Sequence, residues 1–443
     1  MKNYFSLTLV FLIFFSTMNI FAMGRTPTWP EKYAENNSQK LRSGIPGWNV
    51  MSDDYRKKHI LDGLSLEWDY FSIHDEDGKF SGVVAYLVAD PMGHIGDPQY
   101  VWEPNLMPSG GNVACFGKVF STGKKYADYV SFGLNFEAGK NSRSFFAYSD
   151  DQDYYGEMIP VKGDALNPDK LILKGRTKHF EWELDITQMW AGNKSLPGNS
   201  YPNYDKLKEK TWEIGNDVNL IKIRGEHWTV NMNWPTTKVT GWIKDRTTEE
   251  VISINGHGYR ENSFGRWAFP VGGWDFYFLS DVTNKVQFGF QTYHHDTKDL
   301  DYVDVDFIDN GTPVSVRFKG KDGQIGWHHT KWKWSKDAKQ CRPLDAFIEC
   351  KNDIYTVNVF VDIGDDYASL LSTTTPITSL YQITTMFPII SGTVTRNDTG
   401  EVVSKFSGQG GGEFSLMKSV IPLTDDQCNS CMKGYSNTLG SSK

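Results

Sequence analysis

Cysteine is scarce: five in 443 residues, too few for the disulfide scaffold of a small secreted domain. Cys341 and Cys350 bracket one short excursion, and Cys428 and Cys431 sit in a polar tail. Two local bridges are therefore expected in an oxidising compartment, with Cys115 left over. Cys428-Asn429-Ser430-Cys431 has neither a second cysteine pair nor a βαβ setting, which argues against zinc or redox work there. Long apolar runs are also missing. The run Phe5–Phe15 follows Lys2 and precedes Ile20-Phe21-Ala22, the pattern of an export signal over residues 1–22. It is shorter than the roughly 20 residues a spanning helix needs, so the expectation is a secreted or periplasmic chain with no stable membrane insertion. Neither sign of charge dominates. The net charge of −8 becomes −9 once Lys2 is removed with no acid, and both signs are scattered along the chain, which speaks against nucleic acid as a partner. There is no Gly-x-Ser-x-Gly elbow, no His-Glu-x-x-His and no glycine-rich phosphate loop, which argues against common hydrolases, zinc proteases and nucleotide enzymes.

Helical periodicity is confined to two short stretches, Asp53–Leu61 and Tyr204–Trp212. What is abundant is aromatic residues, 14% of the chain, set in short alternating segments such as Leu64–Ile73, Gly82–Ala89, His179–Ile186, Val286–Tyr293 and Tyr355–Val361. Gly, Pro, Asn and Asp lie between them, the pattern of an all-β fold built of barrels or sandwiches. Ser391–Arg396 and Glu401–Phe406 flank Asn397-Asp398-Thr399-Gly400, a hairpin turn.

Shifting the chain by 206 residues brings Trp68-Asp69-Tyr70-Phe71, Asp75 and Lys79 onto Trp274-Asp275-Phe276-Tyr277, Asp281 and Lys285. We read this as a duplicated β-unit of roughly 200 residues. The expected layout is a first barrel over 45–200, a connector over 201–215 marked by Leu196-Pro197-Gly198, a second barrel over 216–423, and a flexible tail over 424–443. Because Trp274-Asp275 has a counterpart in the first unit, its expected role is packing and strand register.

Gly256-His257-Gly258-Tyr259-Arg260-Glu261-Asn262-Ser263-Phe264-Gly265 has no counterpart before Trp68, which places the chemistry in the second unit or at its junction with the first. Glycines permit close backbone approach or positive φ. Desolvation of Glu261 against Trp267, Trp274 or Phe264 would favour its neutral form and make it a proton donor. Tyr259 could donate a hydrogen bond, whereas a direct Arg260–Glu261 pair would hold the carboxylate ionised. A buried Arg–Glu pair fixing a glycine-rich bend is the structural alternative.

His294-His295-Asp296 and His328-His329 resemble ligand clusters, but adjacent strand residues point to opposite faces, so each pair offers one inward ligand. Even with His257 added, we read no metal site. Asp299, Asp301, Asp304, Asp306 and Asp309 lack the central Gly and terminal Glu of a calcium loop and read as a solvated strand edge. Trp327, Trp332 and Trp334 read as residues alternating between a barrel interior and its exterior.

Gly258-Tyr259-Arg260-Glu261-Asn262-Ser263-Phe264-Gly265, the following Trp274-Asp275-Phe276 and the early Trp68-Asp69-Tyr70-Phe71 resemble the tandem lipocalin-like superfamily. That group includes carotenoid 1,2-hydratase (hydroxyneurosporene synthase), kievitone hydratase, AttH-like proteins, tocopherol cyclase and fungal decalin-forming Diels–Alderases. The resemblance implies two lipocalin-like antiparallel β-barrels side by side, an apolar unsaturated substrate held at or between them, and no metal or organic cofactor. In the hydratase branch a Tyr-x-Asp carries acid catalysis. Its positions fall here on Tyr259 and Glu261, with Glu in place of Asp. The resemblance, taken with the reading of the residues themselves, leads us to expect Glu261 as acid, Tyr259 and Arg260 as its supports, and Trp234, His257, Phe264, Trp267 and Trp274 as pocket residues. It leaves open acid-assisted hydration or cyclisation of a C=C bond, a Diels–Alderase-like pericyclic reaction, or lipid carriage without catalysis.

Overall fold

The computed structural model describes residues 64–90, 110–133, 135–138, 144–149, 151, 153–163, 168–190, 227–267, 273–293, 301–335, 340–370, 383–416, 424–432, 436–437 and 439. The expected signal segment and the two expected helices, Asp53–Leu61 and Tyr204–Trp212, lie outside the described residues. The chain is all-β: among the described residues one short α-helix accompanies the strands, and no helix is long and apolar enough to cross a membrane.

The first sheet begins with β1 (Leu64–Asp75), β2 (Phe80–Asp90), β3 (Gly110–Val119) and β4 (Lys124–Gly133). It continues through β5 (Phe136–Ala138), β6 (Phe145–Tyr148), β7 (Tyr155–Gly163), β8 (Pro168–Arg176) and β9 (Phe180–Trp190). Two long strands complete it, β10 (His227–Asp245) and β11 (Glu250–Trp267). The spatial order is β4-β3-β2-β1-β11-β10-β9-β8-β7-β6-β5. The two ends, β4 and β5, are neighbours in the chain, and β3 packs against β5, β6 and β7, so the sheet curls into a nearly closed barrel. Alternation along each strand turns Phe71, Ile73, Tyr86, Trp182, Leu184, Val239, Ile243, Ile252 and Ile254 into one core, each large apolar side chain contributing about 1.5–3 kcal/mol of burial.

The first sheet does not stop near residue 200. β10 and β11, which the sequence reading gave to the second unit, pair with β9 and β1 and supply core residues to the first barrel. A repeat anchored on one short match cannot reveal that they return to the first sheet.

The second unit comprises β12 (Gly273–Asp281), β13 (Val286–Tyr293), β14 (Tyr302–Asp309), β15 (Thr312–Lys319), β16 (Ile325–His328), β17 (Trp332–Ser335) and β18 (Gln340–Pro343). Next come β19 (Asp345–Lys351), β20 (Tyr355–Asp362), β21 (Tyr367–Leu370), β22 (Ile383–Met386) and β23 (Ile389–Arg396). β24 (Val402–Gln409), β25 (Gly411–Leu416), helix α1 (Asp425–Cys431) and β26 (Ser436–Asn437) end the described fold. A sheet ordered β15-β14-β13-β12-β25-β22-β21 and another ordered β24-β23-β20-β19-β16-β26 enclose a single core, a barrel-like arrangement completed by the β17–β18 ribbon. The expected hairpin joins β23 to β24, with Gly400 at φ 70° and its N–H donating to the Arg396 carbonyl at 2.9 Å.

The repeated residues hold equivalent places. Asp69 and Asp275 are buried on the first strand of each unit, and Phe71 and Tyr277 enter the two cores. Asp75 and Asp281 each accept a backbone N–H across the following turn, from Lys79 at 3.1 Å and Asn284 at 3.0 Å. Tyr70 and Phe276, another matched pair, meet edge to face between the units at 6.4 Å.

Residues 424–432 are docked, in contrast to the mobile tail expected. Thr424 and Gln427 form a capping box on α1, and Asn429 accepts from the Trp332 N–H at 2.9 Å while donating to the Trp332 carbonyl at 2.9 Å. Cys428 is bonded to Cys341, Cα atoms 5.5 Å apart. The expected local pairs 341–350 and 428–431 are therefore not what forms: Cys350 faces the core of the second unit from β19 and is a free thiol. The bridge closes a loop with a sequence separation of 87. By chain entropy its loss is expected to destabilise the second unit by about 4 kcal/mol, measured as a lower urea midpoint for Cys341→Ser than for the oxidised parent.

Candidate active site

β1 and β11 run antiparallel with Tyr70 opposite Glu261, Phe71 opposite Arg260 and His74 opposite His257. Opposed residues share a face. Phe71 belongs to the first core, so Arg260 points into that barrel, while Tyr70, His74, His257, Tyr259 and Glu261 point outward. β12 answers with the same alternation: Tyr277 and Leu279 enter the second core, and Trp274, Phe276 and Phe278 turn back toward the first barrel. Phe276 lies opposite Glu413 on β25. The outward faces of the two units thus meet in a shared aromatic wall.

The glycines of the Gly-x-Gly-Tyr string act through close approach. A Cβ on Gly256 would stand 2.0 Å from the His74 carbonyl oxygen, and one on Gly258 1.9 Å from that of Ser72. Between the regular ladder segments Ser72 Oγ accepts the Tyr259 N–H at 2.8 Å. This local irregularity sets Tyr259 and Glu261 against β12.

Tyr259 is 0% exposed and Glu261 5%, and the phenol donates to Glu261 Oε2 at 2.5 Å. Ring centroids of Tyr259 stand 4.3 Å from Phe278, 6.0 Å from Phe276 and 5.8 Å from Tyr70. Burial first, then the neighbouring Glu261 carboxylate, holds the Tyr259 hydroxyl well above its ordinary pKa, so it remains a donor. Glu413 completes the group. Its carboxyl lies beside Glu261, Tyr70 and Trp274, and burial first, with the Glu261 charge second, pushes it up to about 8. The residue as a whole keeps some solvent contact, but its carboxyl is buried with the cluster.

The other expected site residues fall as follows. Arg260 is not in the cluster: it is buried and pairs with Asp69 at 2.7 Å, its guanidinium 5.7 Å from the Phe71 ring. In place of the Arg260–Glu261 pair weighed as the structural alternative, Arg260 pairs with Asp69, because consecutive strand residues point to opposite faces. Trp274 is buried on the shared wall. His257 lies on the same face farther along, its ring 6.1 Å from that of His74. His74 is held at about 3 by burial and by His257, with Nδ1 2.9 Å from Ser81 Oγ. The side chains of Trp234, Phe264 and Trp267 lie outside the described residues.

Of the clusters set aside earlier, His294, His295, Asp296 and Asp299 lie outside the described residues. His328 and His329 do face opposite ways: His328 stacks on Phe347 at 5.1 Å, and His329 Nε2 lies 3.3 Å from Asp275 Oδ1 inside the second unit. Trp327 and Trp332 point inward. The acidic run is paired rather than a solvated edge: Asp304 takes two bonds from Arg317, at 2.7 and 2.5 Å, and Asp309 takes two from Arg396, at 2.5 and 2.7 Å. Among the described residues no three His, Cys, Asp or Glu groups are placed to hold a metal.

Glu413 is the site residue that sequence reasoning missed. Its signal was the tract Gly410-Gly411-Gly412 immediately before it, since glycines inside a strand mark a close approach. A Cβ on Gly411 would indeed meet the Phe278 ring at 2.2 Å.

No family model matches the chain and no curated protein matches its sequence. Solved structures do match in shape. AttH from Nitrosomonas europaea is 12% identical over 79% of this chain and 92% of its own, with a TM-score of 0.44. Kievitone hydratase from Nectria haematococca is 9% identical over 81% and 90%, with a TM-score of 0.46. CghA is 8% identical over 81% and 90%, with a TM-score of 0.52. The chain therefore shares the all-β, lipocalin-like fold of CghA, a likeness of architecture rather than of sequence.

Proposed function

We propose that this protein is an exported enzyme that takes a hydrophobic unsaturated small molecule at the junction of its two barrels and protonates a C=C bond or a conjugated carbonyl, leading to addition of water or ring closure. The observation that carries the reading is the buried Glu261 carboxyl, bonded to the Tyr259 hydroxyl at 2.5 Å within a wall of Tyr70, Phe276 and Phe278. General acid–base catalysis uses an ionisable side chain positioned within hydrogen-bond reach of the reacting atom. Aromatic faces shield a developing carbocation, and apolar walls with a few convergent polar groups are the usual form of a small-molecule site. In this arrangement Glu261 and Tyr259 manage the proton, and Trp274 and Phe276 shape the wall.

Mass spectrometry of the native protein tests the reading. A polyene, prenylated or isoflavonoid-like compound recovered together with a hydrated or cyclised product is expected. Recovery of one unchanged lipid, with no turnover of such compounds, would leave a carrier instead.

A further inference from the structure

The sheet ordered β24-β23-β20-β19-β16-β26 carries on its outer face a trough of about 970 Å³. β12 and β25, which meet the first barrel, belong to the other sheet of the second unit, so this face is separate from the junction site. Strand pairing sets its outward side chains in two rows. One row runs Phe347, Phe360, Ser391 and Ser407 across β19, β20, β23 and β24, and the other runs Glu349, Asn358, Thr393 and Lys405 across the same strands. Each row is uneven. In the first, His328 backs Phe347 in a parallel stack at 5.1 Å and Phe360 follows at 4.7 Å, whereas the rest of the row is serine. Large rings thus stand on β19 and β20, while small side chains leave β23 and β24 low. Phe347 and Phe360 are each 37% exposed, and adjoining apolar rings left in water mark an interaction surface more often than isolated ones do. In the second row Glu349 and Lys405 occupy the two ends. Three strand spacings hold them about 14 Å apart, too far to pair with each other, and neither forms an ion pair among the described residues.

We propose that this face binds a second copy of the chain, sheet against sheet, about a twofold axis that runs between β20 and β23 and parallel to them. Such a rotation keeps each residue's position along the strands and lays β20 over β23, and β19 over β24, of the other copy. Phe360 then lies over Ser391 of the second copy and Phe347 over its Ser407, so the rings of each copy fill the low half of the opposite trough. Glu349 meets Lys405 of the second copy, and Asn358 meets its Thr393. Each contact occurs twice, as an isologous interface requires. Sheets packed face to face stand about 10 Å apart, a gap that a phenylalanine on one side and a serine on the other can fill. A guest the size of one ring would cover the aromatic half and reach at most one of the two charges, whereas a second copy pairs both.

Sedimentation velocity of the full mature chain provides the test. The parent is expected to be a dimer at roughly 50 µM. Glu349→Lys sets lysine against lysine at both ends of the interface and Lys405→Glu sets glutamate against glutamate, so each variant alone is expected to dimerise at least about tenfold more weakly. An equimolar mixture of the two is expected to recover the dimer as a heterodimer, because one copy then carries both cations and the other both anions. The double variant, Glu349→Lys with Lys405→Glu, exchanges the signs and should associate like the parent. Recovery in the mixture also shows that both single variants fold. Ser391→Trp, which fills the low half of the trough, is expected to leave a monomer. A monomeric parent, single variants that associate as the parent does, or a mixture that stays monomeric overturns the proposal. A glycan or lipid recovered on a monomeric parent would give the trough to that ligand instead. Because the surface lies apart from Tyr259 and Glu261, either result leaves the reading of the junction untouched.

Discussion

Glu261→Gln is expected to cut turnover by roughly 10²- to 10⁴-fold while leaving the fold and the retained ligand in place. The amide is nearly isosteric and can still accept the hydrogen bond that Tyr259 gives the carboxyl at 2.5 Å in the parent, but it can neither take up nor pass on a proton. The loss should therefore fall on kcat, with KM little changed, the mark of a group that acts in the transition state. Tyr259→Phe separates orientation from chemistry, since it removes the donor and keeps the carboxyl. Steady-state kinetics on whichever compound the native protein converts, with ligand retention followed by mass spectrometry, provides the measurement. Unchanged turnover in Glu261→Gln would remove the residue from the reaction.

Arg260→Met should cost about 3–5 kcal/mol of stability, the largest expected effect of any single substitution in the β11 string. Arg260 and Asp69 are 1% and 0% exposed and lie 2.7 Å apart. Removing the cation takes from Asp69, buried inside the first barrel, the charged partner that offsets its desolvation. Replacing both, as in Arg260→Met with Asp69→Leu, should recover much of the loss, because two apolar side chains leave no charge behind. Urea midpoints of the parent, both single variants and the double variant form the cycle that isolates the pair. If Arg260 instead served the reaction, Arg260→Met would lose activity at full stability, which its orientation speaks against.

Much of the fold could be read before any coordinates. Alternation and turn residues pointed to an all-β chain, and the 206-residue offset found the first strand of each unit, with Asp69 and Asp275, Asp75 and Asp281 in matching roles. The boundary was not legible, because periodicity tells which residues face together along one strand and is silent about which strand will be its neighbour. That β11 pairs with β1 rather than with a strand of its own half depends on closure of the first barrel, a property of the whole sheet.

The site was legible in part for the same reason. Tyr259 and Glu261 are two apart and so share a strand face, which the spacing shows. Arg260, between them, had to face the other way, and the charge pattern alone suggested a contact that the pleat forbids. Glu413 is 152 residues from Glu261 in sequence and joins it only through the packing of two sheets. Cys341 and Cys428 illustrate the converse. Short spacing favoured local partners, whereas docking of α1 on β17 brings distant sulfurs together.

The late return of β10 and β11 has a consequence for biogenesis. β1 is flanked by β2 and β11, so a growing chain displays the outer edge of β1 until residue 267 has emerged. Through that interval an unpaired strand invites association with other chains. Contacts of such long sequence separation also form slowly. A chain interrupted near residue 200 should therefore be a ward of chaperones rather than a free-standing half, and the last segment to join the first barrel is the one that bears Tyr259 and Glu261.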